Sequence, residues 1–467
     1  MHTILNRYLL QPLHAKIQRS RHWDYFDYLQ KSQYDSAQII QQRQWLRLQN
    51  LLLHAWDTVP YYRQKWSSVG IHPLDIRSPK DFKELPVLRK QDIRQHFSEL
   101  HSISYDRQRL IHKTTSGSTG VPLTIAINNE SMAWKRACTI RSDGWSGYRL
   151  GGRVAKVWGN PEYQRQGWKG KIRNRLLDRA IYLDTRSVDD HQLSRFSKQL
   201  QQYPPSLLFG HAHSLYLLAL YMKKHPGKPV QPDGIISTAM ILPDYQRQLI
   251  EAVFGTPVTN RYGCEEVSLI ACECEKHNGL HLNSDSLYTD VVESIEQKQS
   301  SSKSLAENGS PSPAHLCVTD LTNFAMPIIR YQIGDVVTCA PAEPCSCGRG
   351  LPQLAKIEGR SADYILTPTG KLISGISLTE NFALLIPGIA QIQLVQPELY
   401  SILLRIVLAD GRCSVDEKLI EQLVQETFGT QMRWGVEYRE RIAQESSGKY
   451  RFCISPVADA YLRSIAA

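Results

Sequence analysis

No stretch of this 467-residue chain is both long and apolar enough to read as a membrane span. The longest charge-free apolar stretch, Pro204 to Met222, is broken by two prolines, a glycine, two histidines and several hydroxyls, and reads as a buried loop-helix. From Met1 to Lys16 there is no continuous apolar region and no clear small-residue cleavage site, so a secretory signal is not expected and the expected location is cytoplasmic. Runs of five or six like charges are also missing. The 55 Lys and Arg exceed the 45 Asp and Glu by 10, but they are spread along the chain, which reads as a solvated surface compatible with phosphate-rich ligands. Cysteine is sparse, ten in all, and a chain this long needs no disulfide framework to hold its core. No internal repeat is visible. The spacing C-x2-C and a basic face are both missing, which argues against a zinc ribbon for nucleic acid.

What is present is ordinary globular composition, 42% hydrophobic and 21% charged, over a length that suggests about three domains at ~150 residues each. Residues 35–66 read as helix, with Ile39, Ile40, Leu46, Leu48, Leu51, Leu52 and Ala55 as an apolar face and Pro60 after its end. From about Ile111, short strands alternate with helical segments. They are Leu123 to Ile127, Arg153 to Trp158, Ser206 to Phe209, Gly234 to Thr238 and Pro257 to Tyr262. This pattern predicts α/β layers with a largely parallel sheet. Residues 296–314, rich in Ser, Gln, Pro and Lys, cannot supply a core and read as a mobile surface insertion between two strands. After Gly359-Arg360 the pattern changes to strands at Tyr364 to Leu366, Ile389 to Gln396, Ser401 to Leu408 and Gly435 to Tyr438, with an amphipathic helix from Val415 to Phe428. The expected division is therefore 1–359 and a compact α+β unit at 360–467.

The sharpest local signal is Thr114-Thr-Ser-Gly-Ser-Thr-Gly-Val-Pro122. Glycines allow close backbone approach, and successive N–H groups and hydroxyls offer donors to phosphate oxygens. Val121-Pro122 follows Gly120 where a Walker A loop carries Lys and Ser or Thr, so it is not that motif. A plain Ser/Gly hairpin turn is the alternative. Cys272-Glu-Cys274 and Pro344-Cys345-Ser-Cys347 form a second constellation, with His277 and His281 beside the first pair. Thiolate and imidazole suit a closed tetrahedral zinc site, and buried metal-free cysteines are the alternative.

In this company the loop resembles the phosphate loop of the adenylate-forming (acyl-CoA synthetase-like) superfamily. The chain resembles most its phenylacetate-CoA ligase branch, including the CapK relatives linked to capsular polysaccharide synthesis. The resemblance also rests, in order, on His54-Ala-Trp-Asp-Thr-Val-Pro-Tyr-Tyr-Arg63, Leu85 to Arg94, Ser237-Thr-Ala239, Arg261-Tyr-Gly-Cys-Glu-Glu266, Arg330 to Asp335, Glu358-Gly-Arg360 and Ser447-Gly-Lys-Tyr-Arg451. It implies a large multi-sheet α/β AMP-binding domain with a small mobile α+β lid. The implied chemistry joins a small-molecule carboxylic acid to the α-phosphate of ATP with Mg2+, then passes the acyl group to a thiol, coenzyme A first. An amine or sugar acceptor in surface polysaccharide synthesis, or a non-catalytic nucleotide-binding scaffold, are the alternatives. No carrier domain is recognised, so a carrier would be a separate partner.

The resemblance implies that Thr115, Ser116, Gly117, Ser118, Thr119 and Gly120 hold the β- and γ-phosphates. It places Ser237, Ala239, Tyr262 and Gly263 around the nucleotide, with Tyr262 stacked near adenine. Glu266 would bind magnesium, Asp335 would accept the ribose hydroxyls, and Arg360 would reach ribose or phosphate at the domain junction. Lys449 would swing in with the lid to bridge the acid and the α-phosphate. Relatives with a Cys…His…Cys-x-Cys arrangement point to Cys274, His281, Cys345 and Cys347 as zinc ligands, with Cys272 and His277 as substitutes. Met240, Cys264-Glu265 and Ala362 depart from the usual family residues, without removing a charged group that adenylation needs. Phe209-Gly-His-Ala-His-Ser214 lies where it could line the acyl pocket, although its histidines read first as satisfied core residues. Trp158-Gly-Asn160 ends a strand at a position where open α/β sheets bind ligands.

Overall fold

The computed structural model describes residues 2–114, 123–158, 167–185, 190–240, 242, 244–292, 314–340, 343–357, 364–374, 378, 382, 385–408, 414–440, 442, 453–458 and 460–461. The helix Ala37–Thr58 starts at Ser36, whose Oγ accepts from Ile39 N, and stops where Pro60 opens the next helix, Pro60–Ser67. Ile40, Leu48, Leu51, Leu52 and Ala55 are buried, but the expected face members Ile39 and Leu46 are exposed. At 3.6 residues per turn those two fall on the side opposite the buried five.

Strands β1 (Ile111–Thr114) and β2 (Thr124–Ile127) form an antiparallel hairpin outside the main sheet. Strands β3 (Val154–Val157), β4 (Ala180–Leu183), β5 (Leu207–His211), β6 (Gly234–Thr238) and β7 (Val258–Cys264) are the parallel half of that sheet. Helices Asp190–Gln202, Ala212–Lys224 and Asp244–Phe254 supply three of the crossovers. The stretch expected as loop-helix, Pro204 to Met222, is therefore β5 followed by a helix, because Leu207 and Leu208 are needed between β3 and β6.

Beyond β7 the sheet turns antiparallel, a departure from the largely parallel expectation. Strands β8 (Ser268–Glu273), β9 (Leu280–Leu282), β10 (Leu287–Val292), β11 (Ala314–Asp320), β12 (Tyr331–Cys339) and β13 (Gln353–Ile357) complete it. Only Glu265, Glu266 and Val267 separate β7 from β8, far too few for the crossover a parallel pair requires. The eleven strands run β10-β11-β12-β13-β9-β8-β7-β6-β5-β3-β4. The expected insertion at 296–314 joins the paired strands β10 and β11 and, apart from Ala314, lies outside the described residues.

A smaller unit follows: β14 (Tyr364–Leu366), β15 (Leu372–Ser374), β16 (Ile389–Glu398), β17 (Ser401–Leu408), β18 (Arg433–Tyr438) and β19 (Cys453–Ile454). Its four-stranded sheet runs β18-β17-β16-β19. The helix Glu417–Phe428 is the crossover between parallel β17 and β18 and buries Ile420, Leu423, Val424 and Phe428 in a core of its own. Tyr364 and Leu366 pack on Leu217 of the large unit. No described helix is long and apolar enough to cross a membrane.

Candidate active site and metal centre

Parallel pairing lines up the carboxyl ends of four strands. Val157 pairs with Gly210, Gly210 with Ser237, His211 with Thr238 and Thr238 with Arg261. Ligands of open α/β sheets sit along such an edge. The hairpin β1–β2 brings Thr114 opposite Thr124, their hydroxyl oxygens 3.3 Å apart, so the two ends of the expected phosphate loop lie side by side. Thr115, Ser116, Gly117, Ser118, Thr119 and Gly120 of that loop, Arg360 and Lys449 lie outside the described residues.

Three of the expected nucleotide residues take part in two buried pairs. Tyr262 Oη on β7 donates to Asp335 Oδ2 on β12 at 2.6 Å, and Tyr331 Oη on β12 donates to Glu266 Oε1 at 2.8 Å. All four are buried. Between β7 and β12 the sheet order places β8, β9 and β13. Laid flat, four strand spacings span about 19 Å, too far for these side chains to meet, so the antiparallel half must curl to bring β12 back over β7. Arg94, on the helix Lys90–Gln95, faces the same group. Burial pulls its guanidinium pKa down while Tyr331 and Glu266 pull it up. Arg94 ends the Leu85 to Arg94 segment, where no local pattern marks it as a site residue. Nor does any mark Lys113, which reaches Ser268 Oγ at 3.5 Å and whose pKa burial lowers.

Gly263 follows a bulge in the β7–β8 pairing, and a Cβ there would lie 2.5 Å from the Ser268 carbonyl oxygen. The hairpin itself thus demands glycine. Ala239, just past β6, has φ of 67°, a left-handed conformation uncommon for alanine and a mark of local constraint. Ser237 is fully buried, and among the described residues its hydroxyl has no hydrogen-bond partner. His211 is buried as expected of a core histidine but is not satisfied: among the described residues neither ring nitrogen has a partner.

The second constellation closes into one cluster. Ligand atoms of Cys274, His281, Cys345 and Cys347 all lie within 4.8 Å of one another. Cys274 Sγ is 3.8 Å from Cys345 Sγ, and Cys347 Sγ is 3.2 Å from His281 Nε2. Sulfur corners of a zinc tetrahedron with ~2.3 Å bonds lie about 3.8 Å apart, so the donors fit that ion. His281 Nδ1 bonds the Leu351 carbonyl oxygen at 2.9 Å, which leaves Nε2 facing the thiols. Burial pulls the His281 pKa down and favours the neutral imidazole that metals bind. The named substitutes stand apart: Cys272 packs in the core with Trp145 and Leu269, and His277 Nδ1 lies 3.2 Å from Glu273 Oε2. Arg349, two residues past Cys347, bonds Gln33 Oε1 and Glu275 Oε2 and lies over the Trp145 ring, tying the cluster to the N-terminal helices.

Residues 365–456 match the family described as the CapK C-terminal domain. Phenylacetate-coenzyme A ligase of Thermus thermophilus is 24% identical over 333 residues, 68% of this chain and 70% of that protein. Protein CapK of Staphylococcus aureus is 24% identical over 387 residues, 81% of each. Among solved structures, 2-hydroxyisobutyryl-CoA ligase in complex with 2-HIB-AMP and CoA superposes with a TM-score of 0.59 at 20% identity, over 93% of each chain. The fold is that of the adenylate-forming ligases.

Proposed function

We propose, for a chain with the adenylate-forming fold and relatives among the phenylacetate-coenzyme A ligases and CapK, an ATP-dependent ligase that activates a carboxylic acid and transfers it to the thiol of coenzyme A. In the first half-reaction a carboxylate oxygen attacks the α-phosphorus of ATP and pyrophosphate leaves. In the second the coenzyme A sulfur attacks the acyl carbonyl and AMP leaves. The observation that carries this reading is the pairing of Tyr262 with Asp335 and of Tyr331 with Glu266 beside the carboxyl edge of the sheet.

Two anions must meet in the first step, so the site needs fixed cations and oriented donors more than an acid-base pair. Thr115 to Gly120, in the segment joining the paired strands β1 and β2, would cradle the β- and γ-phosphates. Tyr262 supplies a ring beside the adenine, and Asp335, held by the Tyr262 hydroxyl, accepts from the ribose hydroxyls. Ser237 and Ala239 flank the nucleotide at the end of β6. A magnesium ion fits the hard oxygens of Glu266, where it would neutralise phosphate charge. Zinc fits Cys274, His281, Cys345 and Cys347 as a closed structural site with no open position for chemistry. The chain divides near residue 360 into an AMP-binding domain and a lid, with Arg360 at the junction and Lys449 carried by the lid to the acid and the α-phosphate.

The CapK match at 365–456 and the 81% coverage of protein CapK favour a second reading, transfer of the acyl group to an amine or sugar. Pyrophosphate release across a panel of acids tests the first half-reaction, and a non-catalytic scaffold would release none. Coenzyme A consumption against amine acylation then separates the two acceptors. Lys449→Ala is expected to abolish adenylate formation while ATP still binds; near-normal pyrophosphate exchange in that variant would overturn its role.

A further inference from the structure

We propose that the acid carries an uncharged hydroxyl or carbonyl group in its acyl part and that His211 reads it, a specificity assignment that rests on the adenylation reading above. His211 closes β5 at the carboxyl edge, in register with Thr238 and one residue past Gly210, which pairs with Val157. Its ring lies against Trp158, with centroids 3.9 Å apart, and Trp158 in turn stacks on Phe209 at 5.4 Å. The residue is 2% exposed, and neither Nδ1 nor Nε2 has a hydrogen-bond partner among the described residues. Two further hydroxyls on the same edge, Thr185 Oγ1 beyond β4 and Ser237 Oγ on β6, are also buried without partners among the described residues, although Ser237, paired with Gly210, lies on the sheet face opposite His211.

Buried polar groups are almost always paired, so an imidazole unpaired at both nitrogens on such an edge marks what a ligand must supply. Burial pushes the His211 pKa down to about 3, so the ring is neutral and offers one donor and one acceptor. A hydroxyl can meet either nitrogen, as acceptor or as donor, and a carbonyl can meet the N–H. The helix Ala212–Lys224 begins at His211 with no side-chain cap, so its first N–H groups add donors at the same place. A second carboxylate is disfavoured because the nearby guanidinium is already taken. Arg261 pairs with Asp143 and lies over the Phe209 ring at 4.9 Å. Lys156 lies over the Tyr182 ring at 5.5 Å, and burial lowers its pKa.

The test is ATP–pyrophosphate exchange with matched acids: phenylacetate and para-hydroxyphenylacetate, benzoate and meta-hydroxybenzoate, butanoate and beta-hydroxybutanoate. In at least one pair the hydroxylated acid is expected to win in kcat/KM by about 100-fold or more, since a site built to hydrogen-bond a substrate group rejects the analogue lacking it. His211→Phe should bring that ratio towards one by raising KM for the hydroxylated acid, and His211→Gln, which keeps a donor and an acceptor, should retain part of it. If His211→Phe fails to fold, the wild-type ratio and the Gln variant decide. Exchange with no preference for any hydroxylated acid, or a preference unchanged in either variant, would overturn this inference alone. Exchange with no acid at all would remove the adenylation reading with it.

Discussion

Tyr262 and Asp335, 73 residues apart in sequence, are joined by a 2.6 Å hydrogen bond from the phenol to the carboxylate. The bond holds two expected nucleotide contacts in one fixed geometry, and it bridges β7 and β12 across three intervening strands. Tyr262→Phe keeps the ring but removes this donor. A buried hydrogen bond to a charged group contributes about 1.5–3 kcal/mol, so urea unfolding should show a loss of that size. With Asp335 less firmly aimed, KM for ATP in pyrophosphate exchange should rise by about tenfold, the equivalent of ~1.4 kcal/mol, with kcat changing much less. An unchanged KM for ATP would separate this bond from nucleotide binding.

The Cys274, His281, Cys345 and Cys347 cluster makes a second prediction. Elemental analysis of purified protein should find about one zinc per chain, and Cys345→Ser should lose it. Because Arg349 beside Cys347 bonds Gln33 and lies over Trp145, loss of the metal should loosen the N-terminal helices. A strong chelator should therefore lower the unfolding midpoint of the wild type and leave the Cys345→Ser midpoint where it is. Zinc far below one equivalent in freshly purified wild type would count against the site.

Local pattern carried much of this architecture into view, and its failures have physical causes. Gly234 to Thr238, Tyr364 to Leu366 and Ser401 to Leu408 are strands at the limits read from the chain, because β-branched and apolar runs there are bounded by turn residues. The antiparallel half is not legible in the local pattern, since strand direction depends on connection length and on partners distant in sequence. Ile39 and Leu46 show the limit of counting apolar residues without phase: both sit on the solvent side of their helix. The two Cys-x-Cys pairs mark a candidate metal cluster locally, but the choice of Cys274 over Cys272 and of His281 over His277 rests on the family resemblance, and the structure brings those four together. Arg94 was not legible as a site residue, because its nearness to Glu266 and Tyr331 is created only by the curl that returns β12 over β7.

Acid should destabilise the N-terminal helices through His22. Burial, aided by Arg136 and His14, pulls its folded-state pKa to about 4 from the usual 6.5. Between those two values the unfolded chain binds a proton that the folded chain refuses. Its contribution to stability is therefore full above pH 6.5 and is lost as pH falls towards about 4. Urea unfolding at several pH values across that window should show stability rising with pH, and His22→Gln, which has no titrating group, should flatten part of the slope. A slope identical in the two proteins would assign the acid sensitivity to other groups.

Glu266 offers the most direct test of the reaction, because its charge can be removed with little change of shape. Its Oε1 accepts from Tyr331 Oη at 2.8 Å, a bond that the amide oxygen of Glu266→Gln can keep. Folding stability should accordingly stay close to wild type. Losing the negative oxygen should weaken magnesium binding and leave phosphate charge uncompensated as pyrophosphate departs. Removal of a single preorganised electrostatic contact of this kind typically lowers kcat by about 10²–10³-fold. Pyrophosphate exchange titrated with Mg2+ should show that loss together with a rightward shift in the metal requirement. A Glu266→Gln enzyme with wild-type exchange at low magnesium would move the metal site elsewhere along the edge.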